Sequence, residues 1–222
     1  MVGICFFSPF SYTDTERMAL AEREGVFGRF GDMERDRINK ISNPSGKALS
    51  LGGIIALGRA VDALGAVGAD MRILRDALGK PHFACGAPCF SISHADRLSV
   101  AAISQSGEIG IDIERIDRDR DIGRIARKFF SEAEQKELAE AEDRVREFYR
   151  IWTAKESMMK QGGEGMISVM RSDSALAEAS GERSFARYAI SFEGEEYILT
   201  ICTVGEEKIE LIECDGISIL RR

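Results

Sequence analysis

The hydrophobic pattern of the chain alternates between helical and strand-like stretches. Residues 15–66, which are rich in Ala, Leu, Arg and Glu, are predicted to be helical, with a break at the turn-like ISNPSGK of residues 41–47. Residues 121–161 return to a helical pattern. Toward the end of this stretch, apolar residues recur at the spacing of one helix face: Phe148, Ile151, Trp152, Met158 and Met159. This face is predicted to pack against the rest of the protein.

Strand-like patterns fill much of the remaining chain. The runs Leu98–Ser104 and Glu108–Glu114 flank the turn-like QSG and predict a hairpin. Residues 187–220 predict further strands, joined at EGEE, GEEK and CDG. The order helices, strands, helices, strands favours two α+β halves over a βαβ winding. The predicted halves are residues 1–106 and 107–222, with the seam near the turn at 105–107.

Composition and charge narrow the function classes. The 222 residues are 44% hydrophobic and 30% charged, as in an ordinary globular protein. The apolar run Val2–Phe7 is too short to span a membrane and has no basic lead, so we expect neither signal peptide nor anchor and place the protein in the cytoplasm. A formal net charge of −7 argues against a nucleic-acid binder. The odd count of five cysteines lacks zinc-ligand spacing and predicts reduced, mostly buried thiols.

Two carboxylates stand two residues apart in EIGIDIE. On a strand, Asp112 and Glu114 project from one face with Cα atoms about 7 Å apart, and at that distance their charges repel by roughly 2 kcal/mol. The pair therefore favours a cation or solvent between them. Glu156 on the predicted long helix is a candidate third ligand, and three carboxylates suit Mg²⁺, with Mn²⁺ as the alternative metal. The other reading is the solvated face of an edge strand.

Charged residues interrupt the apolar face of the predicted long helix. Glu156 and Lys160 are four residues apart and share a face, whereas Lys155 lies about 100 degrees around the helix from Glu156. One interpretation is a surface ion pair with a lysine that extends past the apolar stripe. The other is a metal ligand beside cations placed for a phosphate. The helix alone does not decide between them.

A second set of polar residues lies in the amino-terminal half. Ser93 and His94 end the apolar run FSIS, and both can donate hydrogen bonds to phosphate oxygens; a polar surface turn is the alternative. In GKP, Pro81 holds Lys80 in an extended stretch. A P-loop is excluded, because ISNPSGKA has Ile41 in place of the first glycine and Ala48 in place of the metal-binding Ser or Thr.

Five segments in chain order resemble the 4'-phosphopantetheinyl transferase superfamily, in particular the longer surfactin-synthetase-activator type. They are GKP at 79–81, FSISHA at 90–95, IGIDIE at 109–114, RKFFSEAE at 127–134 and FYRIWTAKESMMKQGGEG at 148–165. The resemblance implies a pseudo-dimer of two similar α+β halves in one monomeric chain, with coenzyme A in the cleft between them. It also implies transfer of 4'-phosphopantetheine from coenzyme A to a serine of an acyl or peptidyl carrier protein.

The resemblance implies roles for individual residues. The implied Mg²⁺ ligands are Asp112, Glu114 and Glu156. Lys160 would steady the phosphates, with Lys155 nearer the attacked phosphorus. The implied coenzyme contacts are Ser93 and His94 for its phosphates, and Lys80 and Pro81 for the adenine and 3'-phosphate pocket.

Other roles remain open at this point. Either Glu156 or Glu134 is the base for the carrier serine, although Ser131 and Glu134 also form a capping-box pattern. Candidates for the coenzyme's 3'-phosphate are Arg35, Arg37, Lys40 and Lys47, for which a solvated helix face is the alternative. The predicted carrier surface is formed by Arg124, Arg127, Lys128, Phe129 and Phe130.

Two other function classes compete with transfer. One is a non-catalytic homologue that binds coenzyme A or a carrier protein. The other is a metal-dependent phosphohydrolase, which would act without a carrier protein. Neither a nucleic acid nor a membrane is expected as a partner.

Overall fold

The chain folds into two compact units. The computed structural model describes residues 1–66, 69–162, 172–212 and 217–221. The first unit comprises Met1–Glu108 with Glu207–Asp215, and the second comprises Ile109–Glu206 with Gly216–Arg222. The residues 207–212 therefore join the first unit from a distant part of the sequence, which local patterns do not reveal.

The first unit begins with a buried strand followed by helices. Its elements are β1 (Val2–Phe7), a 3₁₀ turn (Pro9–Ser11), α1 (Asp14–Arg23), α2 (Val26–Phe30), α3 (Asp32–Asn39) and α4 (Pro44–Ala63). Thr13 and Glu16 start α1 with a capping box, and the Asn43 side chain caps α4 ahead of Pro44. The predicted helices are confirmed, whereas the break predicted at residues 41–47 is shorter, because α4 already begins at Pro44.

A four-stranded sheet completes the first unit. The further strands of the unit are β2 (Ile73–Arg75), β3 (Pro81–Phe83), β4 (Cys89–Ala95), β5 (Leu98–Ser104) and β9 (Ile209–Ile212). The sheet order is β4-β5-β1-β9, while β2 and β3 form a separate pair. The helix α4 packs on the sheet and buries residues such as Ile55 and Leu57 in the core.

The second unit also begins with a strand, followed by helices and then strands. Its elements are β6 (Ile109–Arg115), α5 (Ile122–Phe129), α6 (Glu132–Glu140), α7 (Arg144–Gly162), α8 (Ser174–Ala179), β7 (Ser184–Phe192), β8 (Glu195–Thr203) and β10 (Ile217–Arg221). The sheet order is β10-β7-β8-β6, and α7 packs on β6 and β8. Aromatic rings of Phe130 and Phe148 stack at 5.3 Å between centroids in its core.

The hairpin predicted from β5 and β6 is wrong. β5 pairs with β4 and β1, whereas β6 pairs with β8 of the second unit. The true hairpin turn of β5 lies at Asp96, where a positive φ of 49° reverses the chain between β4 and β5. Two consecutive strands joined by a short turn thus belong to different sheets.

Some expectations concern the whole chain rather than one element. Among the helices that the structure describes, none is both long and apolar enough to cross a membrane. Four described cysteines are free: Cys5 and Cys202 are buried, Cys89 is half-buried and Cys85 is exposed. The predicted turn CDG and the motif residues 163–165 lie outside the described residues.

Candidate active site

The strand β6 and the helix α7 are in backbone contact at Gly110. A Cβ atom added to Gly110 would lie 1.8 Å from the carbonyl oxygen of Ser157 and 2.5 Å from the backbone nitrogen of Gln161. Any side chain at this position would push the helix away from the strand. Because every second residue of a strand shares a face, Asp112 and Glu114 project toward α7 as well.

Asp112 is buried on this face and forms an ion pair with the helix. Only 5% of its surface is exposed, and its carboxylate accepts a hydrogen bond of 2.7 Å from Nζ of Lys160. Although β6 stands at the end of the described strand order, α7 covers its carboxylate face. The solvated-face reading of Asp112 is therefore not what the structure shows.

Glu114 contacts two other groups. Its Oε1 atom accepts a hydrogen bond of 3.2 Å from the indole Nε1 of Trp152. Its Oε2 atom lies 3.8 Å from a guanidinium nitrogen of Arg120. Burial and the charge of Asp112 raise the pKa of Glu114. Arg120 and the indole hydrogen bond lower it and so partly offset this rise.

Glu156 is half-buried and interacts electrostatically with the strand carboxylates Asp112 and Glu114. Burial, followed by the charge of Asp112, raises the pKa of Glu156 to about 7. Lys160 acts in the opposite direction, and Glu114 adds a smaller increase. The structure thus brings Asp112, Glu114, Glu156 and Lys160 into one electrostatically coupled group.

These carboxylates are nevertheless oriented toward different partners. Within the part of the chain that the structure describes, no group of three or more His, Cys, Asp or Glu side chains is arranged to hold a metal ion. Asp112 accepts a hydrogen bond from Lys160, and Glu114 accepts one from Trp152. A metal shared by the three carboxylates is therefore a proposal, taken up below.

Lys155 and Glu134 form a buried ion pair. Their side chains are 0% and 1% exposed, and Nζ of Lys155 lies 2.7 Å from Oε2 of Glu134. The same ammonium donates to the carbonyl oxygen of Ser172 at 2.5 Å. The sequence suggested that Lys155 contacts a phosphate, whereas the structure places it in the interior.

The Glu134 carboxylate is fully engaged. It accepts hydrogen bonds from Lys155, from the backbone nitrogen of Ser131, and from the backbone and hydroxyl of Ser174. The Ser131 hydroxyl in turn accepts from the Glu134 backbone, which completes the capping box at the start of α6. Glu134 thus holds three segments of the second unit together.

The remaining predicted coenzyme contacts lie in the first unit. Lys80 follows a turn, and its backbone nitrogen donates to the Asp76 side chain at 2.8 Å. The Lys80 ammonium is paired with Glu108. Pro81 begins β3 and stands opposite Arg75 in the β2–β3 pair. The guanidinium of Arg75 donates to the Gly79 carbonyl at 3.2 Å and also pairs with Glu34.

Ser93 and His94 lie among the last three residues of β4. Ser93 is 5% exposed, whereas His94 is exposed to solvent. Neighbouring residues of a strand point to opposite faces, so the two side chains do not share a face of the sheet. Their roles toward a coenzyme remain predictions.

The N-terminal basic candidates occupy different environments. Arg37 is paired with the buried carboxylate of Glu34 at 2.6 Å. The guanidinium of Arg35 lies 4.9 Å from the Phe27 ring centroid. Lys40 is exposed at the end of α3, and Lys47 is half-buried in the first turn of α4.

The predicted carrier surface is partly exposed. Arg124, Arg127 and Lys128 of α5 face solvent, while Phe129 is half-buried and Phe130 belongs to the core. A shallow cavity of about 370 Å³ follows the same helix. It is lined by Asp121, Arg124, Ile125, Lys128 and Phe129. Basic and apolar groups therefore stand side by side on α5.

The sequence of the second unit resembles a family of known proteins. Residues 108–202 match the model of the 4'-phosphopantetheinyl transferase superfamily. The matched region holds the β6 carboxylates and α7. The family resemblance carried by the sequence motifs is thereby confirmed.

Particular relatives are transferases of this family. The chain is 40% identical over 105 residues to the 4'-phosphopantetheinyl transferase AcpT of Salmonella typhimurium, covering 46% of this chain and 54% of the relative. It is 34% identical over 140 residues to a 4'-phosphopantetheinyl transferase of Bacillus subtilis, covering 59% of each. It is 34% identical over 110 residues to the 4'-phosphopantetheinyl transferase Sfp of Bacillus subtilis, covering 45% of this chain and 47% of the relative. The chain thus spans about half the length of the curated relatives it matches.

Proposed function

We propose that this protein is a 4'-phosphopantetheinyl transferase. It moves the 4'-phosphopantetheine arm of coenzyme A to a serine hydroxyl of an apo carrier protein, acyl or peptidyl. The serine oxygen forms a bond to the phosphorus that bears the pantetheine arm, and the bond from this phosphorus to the bridging oxygen breaks. Adenosine 3',5'-bisphosphate leaves, and the serine proton passes to a carboxylate of the protein.

The ion pair between Asp112 and Lys160 is the observation that carries this proposal. It joins β6 to α7 inside the region that matches the family. Phosphoryl transfer depends mainly on positioning and charge neutralisation, and the site supplies both charge signs within hydrogen-bond distance. A non-catalytic homologue is disfavoured, because these residues are all present and the relatives are named as transferases.

The donor set fits Mg²⁺ by its chemistry. Asp112, Glu114 and Glu156 offer only carboxylate oxygens, and mutual repulsion helps to raise the pKa of both glutamates. We assign these three residues as the ligands, with Mn²⁺ as the alternative ion. When bound, the ion neutralises charge on the coenzyme's pyrophosphate. Lys160, which neutralises Asp112 here, would then turn to the phosphate oxygens.

Glu156 is the better candidate for the base. Glu134 uses its oxygens for Lys155, Ser131 and Ser174, so a substrate proton would have to displace a buried hydrogen bond. Glu156 is half-buried in the charged group formed with Asp112, Glu114 and Lys160, where the coenzyme's phosphates are proposed to bind, so its carboxylate is placed to accept the serine proton. Lys155, which is paired with Glu134 in the interior, is proposed to support α7 rather than to contact the phosphates.

The two units are proposed to be the two halves of a pseudo-dimer. Support comes from their common order of strand, helices and hairpin. Glu34 and Glu134 are each the third residue of a short helix, each is buried, and each is paired with a cation. In this arrangement Lys80, Pro81, Ser93, His94, Arg37, Lys40 and Lys47 of the first unit are the candidates for holding the coenzyme.

The carrier protein is proposed to dock on α5. Arg124 and Lys128 would meet acidic groups of the carrier, and Ile125 with Phe129 would meet an apolar side chain. The net charge of −7 makes this local basic surface necessary, because long-range attraction to an acidic carrier is weak. We propose a monomer that acts in the cytoplasm without nucleic-acid or membrane partners.

Intact-protein mass spectrometry tests the function. Apo acyl and apo peptidyl carrier proteins are incubated separately with this protein, coenzyme A and Mg²⁺. We expect one phosphopantetheine group to be added, with the faster carrier indicating the pathway. EDTA and a carrier with its serine replaced by alanine should both prevent the gain.

A variant pair links the reaction to the site. Glu156→Gln should abolish transfer while the protein stays folded. Glu140→Gln removes a glutamate at the exposed end of α6 and serves as the matched control. If neither carrier gains mass while coenzyme A still binds, the result favours the non-catalytic reading or a narrow specificity for a carrier other than the two tested. Coenzyme A cleavage without a carrier would instead indicate a phosphohydrolase.

A further inference from the structure

The chain's single tryptophan bonds to a carboxylate of the proposed metal site. Trp152 lies on α7, and its indole Nε1 donates to Oε1 of Glu114 on β6 at 3.2 Å. An indole N–H is a donor only, so this bond favours an ionised Glu114 held in one orientation. The tryptophan was predicted from its spacing as a packing residue, and that role does not require the N–H group.

The indole ring itself is held by aromatic neighbours. It stacks on Phe148 at 6.0 Å between centroids with an interplanar angle of 14°, and it meets Phe129 edge-on at 5.8 Å. The guanidinium of Arg120 lies 5.8 Å from the Trp152 centroid. A ring packed in this way has a fixed direction, and the direction of its N–H is fixed with it.

The second oxygen of Glu114 is held more loosely. Arg120 approaches Oε2 only to 3.8 Å, beyond hydrogen-bond distance. The indole hydrogen bond is thus the closer of these two contacts, and it leaves Oε2 as the oxygen that can turn to a cation.

We infer that Trp152 is a positioning residue, whose indole N–H orients the Glu114 carboxylate toward the metal. This inference rests on the metal site of the proposed function. Groups that hydrogen-bond to metal ligands commonly contribute 10–100-fold to metal affinity. Trp152 therefore acts on the ion through Glu114 and not through contact with the substrate.

A double-mutant cycle on Mn²⁺ affinity tests the inference. Free Mn²⁺ is measured by electron paramagnetic resonance for the wild type, Trp152→Phe, Glu114→Ala and the double variant. Phe keeps most of the ring but removes the N–H, so we expect about tenfold weaker binding. In the Glu114→Ala background the same change should have no effect, because the partner is gone.

Two further measurements separate positioning from general loss of packing. Tyr149 is a buried aromatic residue of α7 whose hydroxyl accepts a hydrogen bond from the backbone nitrogen of Asp117. Tyr149→Phe removes this hydroxyl without touching the carboxylates of the proposed metal site, and should leave Mn²⁺ affinity unchanged. In the wild type, paramagnetic Mn²⁺ should quench the fluorescence of Trp152, and excess Mg²⁺ should restore it.

The outcomes are distinct. An unchanged affinity in Trp152→Phe, or an equal loss with and without Glu114, overturns the positioning role but leaves the proposed transferase intact. A wild type that binds no Mn²⁺ overturns both the positioning role and the metal site. A loss of Mn²⁺ affinity that occurs only when Glu114 is present supports the inference, even before any carrier protein is identified.

Discussion

Gly110 and Ser157 bring strand β6 and helix α7 into backbone contact. The Cβ position of Gly110 would be 1.8 Å from the Ser157 carbonyl oxygen, where no side-chain atom fits. The contact determines the spacing between the strand carboxylates and the charged face of the helix. Asp112 follows Gly110 by two residues, and Lys160 follows Ser157 by three, so the ion pair between them depends on this approach.

Gly110→Ala is therefore expected to damage both stability and the site. Overpacking commonly costs about 1–3 kcal/mol, and a clash with backbone should fall at or above the upper limit. For a chain of this size the melting temperature should fall by roughly 6–12 °C. Gly107→Ala is the matched control, since its Cβ would have no neighbour within 4 Å. Equal melting temperatures for the two variants would contradict the contact.

The two lysines of α7 should separate stability from activity. Lys155→Met leaves the Glu134 carboxylate buried without its cation, which typically costs about 3–5 kcal/mol. Lys160 is 28% exposed but its partner Asp112 is only 7% exposed, so Lys160→Met should cost about 1–3 kcal/mol, less than Lys155→Met. Urea denaturation measures both. A small effect of Lys155→Met together with a loss of transfer would instead restore its predicted role at the phosphates.

Lys160→Met should change metal binding and transfer in opposite directions. Lys160 pairs with Asp112 at 2.7 Å and so competes with a divalent cation for that carboxylate. Its removal should raise Mn²⁺ affinity several-fold and lower the rate of transfer, because the phosphates lose a cation. Calorimetry with Mn²⁺ and the carrier mass assay provide the two measurements. Weaker Mn²⁺ binding would show that Lys160 supports the site rather than competing for it.

The metal-free protein should become less stable between pH 5 and pH 7. The pKa of Glu156 is about 7 in the folded protein and 4.5 as its ordinary value. In that interval the folded state retains a proton that the unfolded state has lost, so stability falls as the pH rises. Glu156→Gln should remove this pH dependence. Between pH 5 and pH 7 in EDTA, the melting temperature of the variant should therefore fall a few degrees less than that of the wild type. An identical pH slope for the variant would mean that Glu156 is not perturbed.

The sequence predicts the helices well because their signals are local. The Thr13–Glu16 capping box and the Asn43-Pro44 start of α4 can be identified from neighbouring residues. The pairing of strands is less predictable, since β9 joins β1 across two hundred residues and β6 joins β8 rather than β5. A short turn such as QSG is compatible with a hairpin and also with a passage between units.

The candidate site shows the same division between local and distant information. Motif spacing places Asp112, Glu114 and Glu156 correctly on β6 and α7. It does not show that Lys155 is buried, because its partner Glu134 stands 21 residues earlier on another helix. An apolar helix face with one lysine in it is a signal for a buried ion pair, and a search for an acidic residue on a neighbouring helix would have identified Glu134.

Charge reversal on α5 should weaken the interaction with the carrier and leave coenzyme binding intact. Arg124 and Lys128 are exposed beside Ile125 and Phe129, so Arg124→Glu with Lys128→Glu would repel an acidic carrier without disturbing the core. We expect KM for the carrier to rise at least tenfold and KM for coenzyme A to stay within twofold. Each α5 substitution is also made singly, and Lys136→Glu on the exposed side of α6 is the control with the same charge change as each single variant. If that control raises the carrier KM as much as each α5 variant does, net charge rather than the α5 surface governs recognition.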